Sequence, residues 1–313
     1  MKRFFICAAA AIVALASCSK TEVVNTSAPE EIGFKAVSGV MTKAPITNTT
    51  FPEEQSITVY GWNNTGKAQY FPATVFSKNG AVWSTTPAQY YPTSGSLDFA
   101  AYTDMAPTII TPSDVANETY TYTLADNSSH QHDFMVSEYV VNKASSANAV
   151  GINFSHALAL IEVNVKCTGT TVTVNSVSLS GTKQNGKVTV TYDDADDADA
   201  NVAPTIGNWN VDGAVAKTLT KTADVALTAD ADAVNYAHFL VVPENGTEKI
   251  LTVSYTLNGN NFSHPINLNT HSATTWKVGT KHIFNITIGL DQITFTPAIG
   301  TDWAPETPTI PSI

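Results

Sequence analysis

Apolar and polar residues alternate with a period of two along most of this chain. "SITVYGW" (56–62), "LDFAAYT" (97–103), "ETYTYTL" (118–124), "ALIEVNV" (159–165), "TVTVNSVSLSG" (171–181), "GKVTVTY" (186–192), "AHFLVVP" (237–243), "KILTVSYTL" (249–257) and "KHIFNITIGL" (281–290) each carry that alternation or a short β-branched run. Such runs predict strands, whose side chains point to opposite faces in turn. Val163 and Val165 against Glu162, Asn164 and Lys166 predict a half-buried strand, as do Phe284, Ile286 and Ile288 against Asn285 and Thr287. Clusters of Asn, Gly, Pro and Asp separate the runs. Asn185-Gly186, in "TKQNGKVTV" (182–190), is the preferred pair for a tight hairpin turn. No long amphipathic helix is predicted. "SHALALIEV" (155–163) can begin as a helical turn, but its β-branched end favours a strand. The fold class read from this pattern is all-β.

At 313 residues the chain is long enough for two packed β domains. The polar, small-residue stretch "VVNKASSANAVG" (140–151) is the natural boundary, giving one domain over 32–147 and a second over 148–303. Residues 19–31, "SKTEVVNTSAPEE", have little to bury and read as a flexible tether. Residues 304–313, "APETPTIPSI", place Pro305, Pro308 and Pro311 three apart. That spacing suits an extended polyproline-like tail and not a central strand.

The first residues read as a secretory signal over 1–17. Lys2 and Arg3 supply its positive start, and Phe4 to Ala16 form an apolar run of 13 residues, too short for an ordinary membrane-spanning helix. Leu15-Ala16-Ser17-Cys18 resembles the bacterial lipobox, where small residues admit the peptidase and a thiol accepts the lipid. Cys18 is therefore the expected lipidation site, at the head of a lipidated tether over 18–31. The alternative is an ordinary signal with an incidental cysteine. Of the three cysteines, Cys7 leaves with the signal and Cys18 takes the lipid. Cys167 is then without a disulfide partner, and stability has to come from burial.

Charge narrows the partners. The formal charge is −11, or −13 once Lys2 and Arg3 are removed, and no basic cluster exists, which excludes nucleic acid as an expected partner. Only 14% of residues are charged. The chain has no G-x-S-x-G, H-E-x-x-H, P-loop or C-x-x-C motif, so neither an enzyme nor a cofactor is expected. His130 and His132 would share a face on a strand, but no further metal ligand lies nearby, and a polar loop is the better reading. "DDADDADAN" (193–201) has five carboxylates but lacks the glycine turn and distal glutamate of an EF-hand. It reads as a solvated acidic loop. Cys167 and His156 are read as core residues, and the Asn-x-Ser/Thr triplets as composition. Trp62, Trp83, Tyr90 and Tyr91 can be read either as core aromatics or as a sugar platform. A monomeric surface lipoprotein that binds a glycan or other ligand is thus the alternative function.

Four stretches in order resemble the fimbrillin family, the pilin-like lipoproteins of Bacteroides-type bacteria that build type V pili. "IGFKAVSGVMTKAP" (32–45) is similar to the family's early I-x-F strand and later T-[RK]-A. "WSTTPAQYYPTSGSLDFAAYTDM" (83–105) is similar to W…Y-[WY]-P…L-x-F-x-A-Y. "INFSHALALIEVNV" (152–165) is similar to F-x-H-x-L-x-x-[IV]-x-V. "WKVGTKHIFNITIGLDQITFTPAIGTDW" (276–303) is similar to the closing segment. The resemblance implies two tandem transthyretin-like Greek-key β-sandwich domains and assembly by strand exchange. It makes Ile32 to Thr42 the removable strand, with Ile32, Phe34 and Ala36 alternating toward one face. It also makes Lys43-Ala44 the position for an Arg- or Lys-specific cut, the alternative being that Lys43 is an ordinary surface lysine and the strand stays. "DQITFTPAI" (291–299), through Ile293 and Phe295, fits a donor strand better than the proline-spaced tail does. The implied function is a structural or adhesive subunit, shaft or tip, of surface fimbriae at the outer membrane. Its implied partners are other fimbrial subunits, the membrane through the Cys18 lipid, and a host or bacterial surface ligand.

Overall fold

A computed structural model describes residues 29–38, 56–103, 109–114, 117–123, 131–193, 200–246, 248–271 and 275–300. The described residues form strands joined by turns, with one 3-10 turn at Leu268–His271. All nine runs picked out by alternation are strands. Residues 155–163 form no helical turn: one strand ends at His156 and the next starts at Ala159.

The first sheet contains β1 (Phe34–Ser38), β2 (Ser56–Asn63), β3 (Gln69–Asn79), β4 (Val82–Ser84), β5 (Ser96–Thr103), β8 (Met135–Ser137), β9 (Val140–Ala144) and β10 (Val150–His156). Their order is β2-β3-β4-β1-β10-β8-β5-β9, and β2 also pairs with β5. That extra pairing closes seven of the strands into a ring and leaves β9 outside it as an edge on β5. The ring encloses Phe34, Ile57, Val59, Phe76, Phe99, Ile152 and Phe154, all buried.

Two further sheets face each other. One has the order β16 (Val234–Val241), β11 (Ala159–Cys167), β19 (Lys281–Ile288), β20 (Ile293–Gly300). The other runs β15 (Ala216–Leu227), β12 (Val172–Lys183), β17 (Ile250–Leu257), β18 (Asn260–Asn267). Between them lies a second core that includes Val163, Val165, Val177, Leu179, Phe239, Val253, Phe284 and Ile286. Cys167 belongs to it at 1% exposure, and burial raises its thiol pKa, consistent with an inert packing residue. A small fourth sheet orders β14 (Thr205–Ile206), β13 (Asn185–Thr191), β7 (Asn117–Thr123) and β6 (Ile109–Asp114).

A third core joins these bodies. β2 and β5 are buried on both faces. Ile57, Val59, Phe99 and Ala101 face the ring interior, while the alternate residues Tyr60, Trp62, Ala100 and Tyr102 pack with Leu160, Val188, Val190, Tyr192, Trp209 and Leu240. Gln131 clips the junction: its amide donates to Leu240 O at 2.9 Å, and its carbonyl accepts from Leu240 N at 2.8 Å. β10 follows the expected 147/148 boundary and is hydrogen bonded into the first sheet. β7 and β13 pair across that same boundary.

The Asn185-Gly186 hairpin does not form. β12 pairs with β15 and β17, whereas β13 pairs with β7 and β14, so the chain changes sheets at Gln184. The glycine serves close packing instead. A Cβ on Gly186 would lie 3.0 Å from the Trp209 ring and 3.1 Å from Val242 Cγ1.

Buried titratable groups make stability depend on pH. His282 is 5% exposed, its Nε2 has no hydrogen-bond partner, and burial, with Lys249 and Lys277 nearby, pushes its pKa from 6.5 down to about 4. Because the folded value is depressed, the unfolded chain binds the proton first as pH falls. This contribution is complete above pH 6.5 and is lost as pH drops toward 4, a gap equivalent to about 3 kcal/mol. Glu162, held at about 2 chiefly by its hydrogen bond with His238, stays ionised through that window. Urea unfolding from pH 7.5 to 4 is expected to show a steeper decline for the native chain than for His282→Asn. Parallel curves would exclude this role for His282.

Candidate functional site

The candidate site is β1 and the groove that holds it. Ile32 and Phe34 alternate inward and are fully buried, while Lys35, the next residue along, is exposed. β1 runs parallel to β10, from Phe34↔Val150 to Ser38↔Phe154, and meets β4 at Phe34↔Trp83. Ala36 pairs through its backbone with Ile152. Just before the strand, Ile32 N donates to Gln89 O at 2.8 Å and Tyr91 N donates to Glu30 O at 3.0 Å. Val150 N donates to Gly33 O at 2.8 Å.

Phe34 anchors the strand. Its ring meets Phe76 at 5.0 Å and 88° and Phe99 at 5.1 Å and 87°, both edge-to-face contacts. That geometry sets the positive edge of one ring against the negative face of another. Gly33 lets the strand lie close to its neighbour, since a Cβ there would stand 3.0 Å from Val82 Cγ1. The groove can be described by what would remain without β1. β4 and β10 would each gain an open edge, and the buried faces of Phe76 and Phe99 would meet solvent. Open edges of this kind recruit another strand.

The donor candidates lie elsewhere. Ile293 and Phe295 are on β20, which pairs with β19 over its whole length and forms the edge of its sheet. Both side chains are partly buried against the second core, and Phe295 meets Phe284 at 5.3 Å. The removable and donor candidates therefore occupy different sheets of the same molecule. Cys18, Lys43, Ala44 and His130 lie outside the described residues, as does most of the acidic loop 193–200, at 194–199. His132 is half-buried, and no group of three His, Cys, Asp or Glu able to hold a metal occurs among the described residues.

The sugar-platform alternative loses most of its aromatics. Trp62, Trp83 and Tyr91 are 5%, 3% and 4% exposed and pack in cores; only Tyr90, at 45%, faces solvent. His156 is a core residue, with Nδ1 2.7 Å from Asp133 Oδ2. Alternation alone missed the groove walls. Trp83 sits in a strand of three residues, too short to show a period, and Gly33 has no side chain to count.

A model of fimbrillin-like proteins matches residues 42–303. Solved structures share the fold. A candidate cell adhesion protein of Bacteroides uniformis is 19% identical with a TM-score of 0.53, over 88% of this chain and 98% of its own. One of Bacteroides ovatus is 13% identical with a TM-score of 0.53, over 87% and 97%. A fimbrial protein of Bacteroides vulgatus is 16% identical with a TM-score of 0.50, over 86% and 98%. No curated relative matches the chain.

Proposed function

This chain belongs to the fimbrillin-like family, and from that premise we propose that it is a non-enzymatic subunit, shaft or tip, of cell-surface fimbriae, assembled by β-strand exchange. The observation that carries the reading is the seat of β1. It is a short amino-terminal strand with its own groove, held by two fully buried side chains, Ile32 and Phe34, and by pairing on both sides. Its departure would leave a slot of matching length and chemistry for a strand of another subunit. β20, already a strand and already at a sheet edge, is the nearest candidate in this chain to supply one.

In this reading the chain is exported with its 1–17 signal, lipidated at Cys18 and held at the outer membrane. It matures by cleavage after Lys43, which removes tether, lipid and β1 together. Two tandem sandwich units of transthyretin-like topology carry the exchange. Other fimbrial subunits are its partners, and a host or bacterial surface ligand is the target of adhesion.

Sequencing the amino terminus of the surface-shed form tests this directly. A species beginning at Ala44, with oligomer ladders after digestion by an Arg/Lys-specific protease, is the expected result. A protein that stays full length and monomeric after that treatment would overturn the shaft version. Cys18→Ala is expected to release the precursor from the membrane fraction, and unchanged membrane association would exclude lipidation there.

A further inference from the structure

The second sandwich has four edge strands, β15, β16, β18 and β20. An edge strand presents backbone N–H and C=O groups with which another chain can pair. Two of these edges are occupied by side chains. On β16, the Gln131 amide takes both polar groups of Leu240, at 2.9 and 2.8 Å, as a neighbouring strand would. On β15, Tyr236 Oη donates to Ala223 O and accepts from Ala223 N at 3.1 Å. Ala223 sits where the pairing of β15 with β12 shifts register, between Thr222 and Val225. Such a bulge twists an edge away from further pairing.

β18 and β20 are left, and each carries a proline, Pro265 and Pro297. The ladders fix which way those prolines face. β17 and β18 join through Asn258-Gly259, with φ of +50° and +80°, so Leu257 and Asn260 form a hydrogen-bonded pair. Such pairs recur at every second residue of an antiparallel ladder. Leu268 N donates to Lys249 O at 3.0 Å, in the same phase. Pro265, opposite Thr252, falls on the other phase, so its nitrogen faces away from β17. β20 repeats the arrangement. Gly289 N donates to Gln292 O at 2.8 Å, and Ile288 O accepts from Thr168 N at 3.0 Å on the side away from β20. Pro297, opposite Phe284, therefore also faces outward. Neither ladder shifts register at its proline. The missing N–H thus costs the sheets nothing and is missing only from the outer side.

We propose that Pro265 and Pro297 guard these two edges, denying a second copy of this chain the N–H groups it needs to add a strand to the second sandwich. Among the described residues no strand lies on the outer side of either. Both edges carry apolar side chains that favour association: Phe262 on β18 is 45% exposed and Ile299 on β20 is 62% exposed. A strand laid along β20 would find outward N–H groups at Phe295 and Ile299 and none between them. The proposal holds whether or not subunits exchange strands at β1, which belongs to another sheet.

Pro265→Thr and Pro297→Thr, combined in the full chain, restore both outward N–H groups. Sedimentation velocity, in detergent where the amino-terminal apolar run requires it, is expected to show self-association about tenfold tighter than that of the native chain. Ser263 is exposed and its N–H also faces outward. Adding Ser263→Pro to Pro265→Thr is therefore expected to return that single variant to native behaviour. Amide hydrogen exchange reads the native chain without any substitution. Ser263, Phe295 and Ile299 are expected to exchange fast, while His264, Thr294 and Thr296 stay protected. In the double variant the outward amides are expected to gain protection as association rises. Unchanged association in the folded double variant, no reversal by Ser263→Pro, or protected outward amides in the native monomer would each overturn the proposal.

Discussion

Phe34→Ala is expected to destabilise the protein by about 3–5 kcal/mol, the usual cost of deleting a buried aromatic ring. The ring is fully buried and packs edge-to-face against both Phe76 and Phe99, so truncation leaves a cavity with rigid aromatic walls. Lys35 is the internal control. It lies on the same strand with its side chain exposed, and Lys35→Ala is expected to change stability by about 0.5 kcal/mol or less. Urea unfolding followed by tryptophan fluorescence measures both. Equal small losses would show that β1 is not anchored through Phe34. A large loss confined to Phe34→Ala would show that this one ring carries much of the strand's hold.

Asp98→Ala is expected to cost as much, about 3–5 kcal/mol, because it removes the acceptor from a buried charge network. Asp98 is fully buried on β5. One carboxylate oxygen accepts from Asn64 Nδ2 at 2.9 Å and Asn142 N at 2.8 Å. The other accepts from Lys67 Nζ at 2.8 Å and Tyr139 Oη at 3.2 Å. Lys67 and Asn142 have φ of +49° and +56°, a left-handed conformation that non-glycine residues adopt at a cost. The carboxylate thus holds two unfavourable turns and an interior tyrosine. Asp98→Asn is expected to lose less, since its carbonyl keeps one acceptor. In a double-mutant cycle with Lys67→Met, strong coupling is expected; additivity would mean that Lys67 is merely adjacent.

Strands were legible where one face is buried and the other is not. Val163, Val165, Phe284, Ile286 and Ile288 alternate in the sequence and are buried as that alternation predicts. β2 and β5 were legible for a different reason: both faces are covered, by two separate cores. β15 and β18 were not. β15 buries Leu219 and Leu227 among Thr and Lys, and β18 buries Ile266 on a strand otherwise exposed. An edge strand leaves little pattern because backbone pairing, not side-chain burial, holds it. Within the candidate site, Ile32 and Phe34 were visible through alternation and family resemblance. Their surroundings were not, since Trp83, Gln89 and Val150 reach the strand only through the closed ring. The hairpin at Asn185-Gly186 does not form because its two flanking strands pair in different sheets, β12 with β15 and β17 and β13 with β7 and β14.

The parallel pairing of β1 with β10 joins segments far apart in the chain. Phe34 finds Val150 only after the whole intervening chain is available, and a similar separation recurs between Asn164 and Asn285, 121 residues apart. Topologies dominated by such distant pairings fold slowly, on the order of milliseconds to seconds. Both partners of β1 lie far along the chain, at Trp83 and Val150, so seating it carries the entropic cost of closing long loops. A strand supplied by a second molecule would carry a cost set by concentration instead of by loop length.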